Sequence, residues 1–109
     1  MSFFTEIVRT IAIDDENKVT VRKLTYGQRQ AAISKASRLN PMTQEATIDF
    51  ALLRVEQLNA GVVGWEGSGF DGRPVSRANI EALPPEVVEK IEVALDSFNT
   101  PMSSDEKKV

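Results

Sequence analysis

A glycine-rich run at residues 67–72 matches the pattern of loops that bind nucleotide phosphates. Its sequence, GSGFDG, fits G-x-G-x-x-G at every position. In a dinucleotide-binding fold such a loop opens a helix, whose amides and dipole hold the phosphate. Here Arg73 and Pro74 follow the loop directly, and a kinase lobe needs a far longer chain. The sequence therefore predicts that these glycines form turns, with no cofactor.

Acidic side chains cluster at Asp14, Asp15 and Glu16, but they do not match a calcium loop. They are consecutive and lack the ligand spacing and the central glycine of such a loop, so a solvated turn is expected. The chain has no cysteine and no histidine. Their absence removes disulfides, thiolate nucleophiles, Cys/His zinc sites and histidine-based catalysis. We expect no enzymatic activity, no catalytic residue and no metal site.

Charge is small overall but unevenly divided along the chain. The net charge is −3, yet residues 17–44 hold six bases and no acid, and residues 81–96 hold five acids and one base. These segments either attract each other or are solvated within one fold, or they join copies head to tail in a homo-oligomer. The bases form no clean stripe and the chain has few aromatic residues, so nucleic-acid binding is not favoured.

The length of 109 residues supports one domain. Residues 1–99 are predicted to form it, and residues 100–109, which lack a core-forming pattern, are predicted to be a disordered tail. No apolar run approaches the roughly 20 residues of a membrane-spanning helix. The N-terminal segment carries Glu6 and no basic region typical of a signal peptide. We expect a soluble cytoplasmic protein without membrane contact.

Two runs near the N-terminus predict a β-hairpin. Residues 9–14 and 19–24 are rich in β-branched side chains and alternate in polarity, with polar residues 15–18 between them. One hairpin alone is marginally stable. It must therefore pack on helices or pair with another strand.

Two helices are predicted after the hairpin. Thr25 and Gln28 form a capping box that begins the first, and Pro41 ends it, since proline disfavours helical geometry in the residue before it. Thr43 is the expected N-cap of the second, which runs to about residue 60. Gly61 is expected to end it in the left-handed conformation.

A third principal helix follows a proline pair. Ser76 is expected to cap a single turn at residues 77–82, and Pro85 to lie near the first position of the helix. The predicted fold class is α+β, mainly α, with a short N-terminal β-hairpin, three principal helices and a long Gly-rich loop before the last. The predicted core residues are Ile33, Leu39, Leu52, Val55, Leu58, Ile91, Leu95 and Phe98.

The Gly-rich connection at residues 59–85 holds five of the six glycines and the only tryptophan. A loop this long is uncommon in a compact domain unless it is functional. Trp65 is either a core anchor with a locally satisfied N–H or an exposed anchor for a partner, and Phe70 and Val75 could serve either way. Phe3 and Phe4 belong to an apolar arm that either covers the core or swaps onto a neighbour. These five residues are the predicted partner-binding set.

Several motifs together resemble a tail assembly chaperone of long-tailed bacteriophages. They are LTYGQRQ at residues 24–30, a second helix ending in glycine, GVVGWEG, FDGRPVSRANIEALPPEVVEKI and the final DEKKV. The resemblance covers most of the chain from Val21 onward. Its most specific part is the order V-x-G-W, D-G-x-P-V and a new helix at I-x-x-L-P.

This resemblance implies a small, mainly helical, non-enzymatic protein of the host cytoplasm. Such chaperones bind the tape-measure protein and keep it soluble until tail-tube subunits polymerise around it, and they are typically absent from the mature virion. Many also have a frameshifted longer form, which makes Lys107 and Lys108 a predicted slippery site. Two other classes remain open, namely a structural tail or neck component of the particle and a small nucleic-acid-binding regulator.

Overall fold

The computed structural model describes residues 2–99, and within that range five strands and four α-helices follow one another. The elements are β1 (Val8–Ala12), β2 (Lys18–Arg22), α1 (Tyr26–Ala36), β3 (Ser37–Asn40), β4 (Glu45–Ile48), α2 (Phe50–Gly61), β5 (Val62–Glu66), a 3-10 turn (Ser68–Phe70), α3 (Arg77–Glu81) and α4 (Pro85–Asn99). The predicted tail and slippery site at residues 100–109 lie outside the described residues.

The N-terminal strands form a three-stranded antiparallel sheet in the order β1-β2-β5. The predicted hairpin is present, with Thr10 opposite Thr20. Its turn is organised by the carboxylate of Asp14, which accepts hydrogen bonds from the backbone amides of Glu16 and Asn17, both at 2.9 Å. Strand β5 pairs with the other edge of β2, which satisfies the hairpin's need for a further partner.

The core lies between this sheet and the helices that cover it. Alternation along β2 turns Val19 and Val21 inward, where neither exposes any surface, and α4 contributes Ile91 and Leu95 from the opposite side. The buried cluster is completed by Ile13, Leu58, Val62, Phe70 and Ile80. The hydrophobic centre is therefore shared by sheet and helices.

The prediction of a mainly helical fold with a single hairpin is wrong. The described chain is 47% helical and 23% strand, and its five strands form two sheets. Strand β5 falls inside the connection predicted to be a loop, because Val62 to Glu66 follow α2 without an intervening turn and pair with the free edge of β2. A strand recruited by a distant edge leaves only a weak local signal in the sequence.

The predicted boundaries of the first two helices are also wrong, because a second hairpin, β3–β4, separates them. Pro41 lies in its turn, which Gln44 closes in the left-handed conformation at φ 62°. The N-cap of α2 is Asp49, whose carboxylate accepts from the amide of Leu52, and Thr43 lies in the turn instead. As a consequence Leu39, a predicted core residue, is 63% exposed.

The other predicted core positions divide by depth. Leu58, Ile91 and Leu95 are buried as predicted. The remaining four are only half-buried, namely Ile33, Leu52, Val55 and Phe98. Helix α2 is therefore a flank of the core rather than its centre.

Gly61 ends α2 for a reason other than the one predicted. It is the last helical residue and does not adopt a positive φ. A Cβ atom at this position would lie 2.5 Å from Cδ1 of buried Leu95. An added Cβ would force the Leu95 side chain to shift, so the close approach of α2 to α4, rather than a left-handed cap, favours glycine here.

The predicted N-termini of α1, α3 and α4 are confirmed. The capping box of α1 is confirmed, since Thr25 Oγ1 accepts from the amide of Gln28 and the Gln28 side chain accepts from the amide of Thr25. Ser76 caps α3, and α4 begins at Pro85.

Candidate interaction surfaces

Trp65 and Phe70 pack on each other within the Gly-rich connection. Their rings are stacked with centroids 4.7 Å apart and planes 5° from parallel. The indole N–H of Trp65 donates to the carbonyl of Arg73 at 2.6 Å. Phe70 is buried, while Trp65 and Val75 are half-buried against the core. Trp65 therefore packs against the core with its N–H bonded locally, as the first of its two interpretations requires. Only part of its side chain remains exposed.

The glycines beside these rings dock the connection onto the β1–β2 turn. The amide of Gly69 donates to Asn17 Oδ1 at 2.8 Å, and Ser68 Oγ donates to a carboxylate oxygen of Glu16 at 3.0 Å. Gly67 has φ 128°, and a Cβ there would come within 2.7 Å of the Asn17 Cα. Positive φ and contact with the turn explain the glycine pattern, in agreement with its interpretation as turn-forming.

The N-terminal arm, residues 2–7, presents the most exposed apolar side chains on the described surface. Phe3 and Phe4 are 96% and 97% exposed. With Ile7, Leu24 and Tyr26 they line an open cleft of about 510 Å³ between the arm and the start of α1. The arm was expected either to cover the core or to be exposed. In the structure it is exposed, because the rings of Phe3 and Phe4 cover no core residue.

A third apolar surface, which the sequence interpretation missed, lies on the β3–β4 hairpin. All eight strand residues are exposed. The available signal was the alternation of polar and apolar residues in E-A-T-I after the proline turn, whereas S-R-L-N before it carries a single apolar residue. It was missed because both four-residue runs were assigned to helices.

Among the described residues, a buried carboxylate, Glu56, pairs with two exposed cationic side chains. Glu56 is 7% exposed, and one carboxylate oxygen accepts from Arg77 at 2.8 Å while the other lies 3.9 Å from Lys35. The hydrogen bond to Glu56 raises the pKa of the Arg77 guanidinium. Because its members come from α1, α2 and α3, the network fixes these helices to one another.

The basic segment, residues 17–44, and the acidic segment, residues 81–96, do not form direct ion pairs with each other among the described residues. Among residues 2–99, no salt bridge joins the basic segment 17–44 to the acidic segment 81–96. The α4 acids that pair are Glu92 and Asp96, and both do so with Arg54 of α2, at 3.3 and 2.6 Å. Direct ion pairs within residues 2–99 therefore do not link the two segments.

A groove of about 420 Å³ runs between α2, α3 and α4. Its floor is apolar, formed by Leu58, Ile80 and Val88, while Glu81 and Glu89 lie on its rim. No group of three or more acidic side chains in the described range is arranged to hold a metal ion. No described helix is long and apolar enough to cross a membrane.

Two carboxylates, those of Asp14 and Asp49, have a lowered pKa because of hydrogen bonds to residues nearby in the sequence. The side chain of Asn17 lowers the pKa of Asp14 by donating to it, and the amide of Leu52 does the same for Asp49 at the start of α2. Both groups organise backbone termini, one a turn and the other a helix.

Comparison with known proteins gave no match: no protein-family model, no curated protein and no solved structure is similar to this chain at the level that counts as a match. The motifs of the sequence and the surfaces described above are therefore the basis on which a function can be proposed.

Proposed function

We propose that this chain is a tail assembly chaperone of a long-tailed bacteriophage. In this function it binds the tape-measure protein in the host cytoplasm, keeps it soluble while tail-tube subunits assemble, and leaves before the virion is complete. It acts without enzymatic chemistry, through apolar contacts with its client.

The observation that carries the proposal is the distribution of exposed apolar side chains. A soluble domain of this size rarely exposes several large apolar groups on projecting segments unless they bind something. Here Phe3 and Phe4 project from the N-terminal arm. Leu39 and Met42 of the β3–β4 hairpin and Phe50 at the start of α2 are 63%, 89% and 74% exposed. Two separate apolar segments suit a protein that holds a long client at several points.

Co-expression with the tape-measure protein of the same phage tests this function. The chain should move the tape-measure protein from the insoluble to the soluble fraction, and affinity capture of the chain should recover both proteins. An unrelated small acidic domain expressed at the same level is the control. A tape-measure protein that stays insoluble in the presence of this chain would contradict the proposal.

Purified virions distinguish the chaperone from a structural tail or neck component. Mass spectrometry of intact particles should find the tail-tube and tape-measure proteins but not this chain. Its recovery in stoichiometric amount would assign it to the particle instead.

A further inference from the structure

The N-terminal arm, residues 2–7, lies beside the C-terminal end of α4. The strand that follows the arm, β1, runs antiparallel to this helix. At the start of β1 the Arg9 guanidinium lies 4.4 Å from the centroid of the Phe98 ring. Just after the end of β1, the carbonyl of Ile13 accepts a hydrogen bond from the side chain of Lys90 at 2.9 Å. Because the arm precedes β1, it is nearest to the last turn of α4.

The groove between α2, α3 and α4 lies toward the other end of α4. The residues of α4 that line it fall between Pro85 and Glu92, in the first half of the helix. From Val88 to Phe98 the helix rises about 15 Å at 1.5 Å per residue. The groove shares no lining residue with the cleft beside the arm. In this structure the arm and the groove of one molecule do not meet, so a contact between them joins two molecules.

The groove carries an excess of negative charge around its apolar floor. Its lining includes three acids, Glu81, Glu89 and Glu92, and one base, Arg54. Arg54 divides its guanidinium between Glu92 at 3.3 Å and Asp96 at 2.6 Å. Within residues 2–99, Glu89 forms no salt bridge. The complement of this groove is therefore a segment that carries both apolar side chains and positive charge.

The arm of a second copy has this chemistry. Phe3 and Phe4 are 96% and 97% exposed and do not belong to the core cluster. The arm's one acid, Glu6, pairs with Arg22 at 3.9 Å. Lys23, which is exposed and lines the cleft beside the arm, forms no salt bridge in the described part of the chain. The two rings are therefore carried beside an uncompensated positive charge.

We infer that the arm of one copy docks head to tail into the groove of a second copy, with Phe3 and Phe4 over the apolar floor and Lys23 toward the acidic rim. Because the two surfaces differ, the contact is heterologous, and each copy uses its arm on one neighbour and its groove on another. The inference does not depend on the proposed function. It is compatible with that function, because a chain of copies still exposes the β3–β4 hairpin of each.

The size of the contact sets its strength. A Phe side chain buries about 150–250 Å², so the two rings bury roughly 300–500 Å² of the arm. A stable interface of standard size buries about 800 Å² on each partner. The association is therefore weak and depends on protein concentration. Because opposite charges guide it, salt should weaken it.

Sedimentation velocity on a concentration series, in low and in high salt, measures this association. The arm variant, Phe3→Ser with Phe4→Ser, removes the two rings. Its matched control, Met42→Ser with Phe50→Ser, removes two exposed apolar side chains from another part of the surface. Circular dichroism verifies that every variant is folded.

The groove variant, Glu89→Lys, reverses the charge of an exposed side chain on the rim. Its control, Glu45→Lys, makes the same change on the β3–β4 hairpin, where the side chain is also exposed. The arm variant and the groove variant are then mixed. Each lacks one half of the contact and keeps the other, so the groove of the arm variant receives the arm of the groove variant. The mixture should form dimers and nothing longer.

We expect the wild type to associate in low salt and to dissociate as the salt concentration rises. The arm variant and the groove variant should each associate roughly tenfold more weakly or less, and both controls should behave as the wild type does. Association that strengthens with salt would overturn the inference, and so would a control that weakens as much as its matched variant. A mixture no more associated than the separate variants would also overturn it. A wild type that is monomeric at every concentration overturns the inference and leaves the proposed function intact.

Discussion

Truncation of Ile91 tests the central claim about the fold, that the core lies between the sheet and α4. Ile91 exposes no surface and belongs to the buried cluster. Replacement by alanine removes Cγ1, Cγ2 and Cδ1, at about 0.8 kcal/mol each for the lost burial. The cavity left behind adds to this. We expect the free energy of unfolding to fall by about 3–5 kcal/mol, a large part of the stability of a domain this size.

Leu52→Ala is the matched comparison, because the sequence pattern placed Leu52 and Ile91 equally deep. In the structure Leu52 is only half-buried, on α2. Less surface is re-exposed on truncation and solvent can fill the space, so a cost of about 1 kcal/mol is expected. A milder change, Ile91→Val, should cost about 0.5–1.5 kcal/mol.

Urea unfolding followed by circular dichroism measures all three variants. The transitions should move to lower urea with unchanged m-values, because the change is one of packing rather than of the unfolded state. Thermal midpoints should follow the same order. An equal or larger loss for Leu52→Ala than for Ile91→Ala would refute the reasoning and place the core at α2.

Three further outcomes are expected. Gly67→Ala should lower the free energy of unfolding by about 1–3 kcal/mol, because φ is 128° and the added Cβ meets Asn17; a neutral effect in urea unfolding would show that the connection does not dock on the β1–β2 turn. The lowered pKa of Asp49 means that its capping contribution is complete above the ordinary aspartate pKa of about 3.9 and is lost as pH falls through the lower folded value. The stability difference between the wild type and Asp49→Ala should therefore shrink on acidification, and a difference independent of pH would contradict the assignment of the cap. If the divided charges act between copies, light scattering should show association that weakens with salt; a monomer at every ionic strength and concentration would remove the head-to-tail interpretation.

Local patterns predicted those elements whose signals are contained in a few adjacent residues. The Thr25–Gln28 capping box and the Ser76 cap each depend on a side chain bonding a backbone amide within one turn, and the Pro85 start depends on the fixed φ of proline; all are present. The N-terminal hairpin likewise follows from alternation on either side of a short polar turn. Such interactions do not depend on how the rest of the chain folds.

The candidate surfaces were predicted less completely. Phe3 and Phe4 are exposed, as one of their two interpretations requires, whereas Trp65 and Phe70 face each other and the core. The exposed surface of the β3–β4 hairpin was missed because its two strands are short and its apolar residues also fit a helical period. Their role in binding a partner stays a prediction, which the capture experiments address.

The sequence by itself determined the starts of α1, α3 and α4, the turn of the first hairpin, and that no histidine or cysteine chemistry is available. The tertiary structure alone decided that β5 joins the sheet, that residue 61 lies close against Leu95, and that Leu39 faces solvent. The first two outcomes depend on partners far away in the chain, namely the edge of β2 and the side chain of Leu95. The third depends on whether any other element packs over the β3–β4 hairpin. Caps and turns are satisfied within a few residues, but burial and strand pairing are satisfied only by the whole fold.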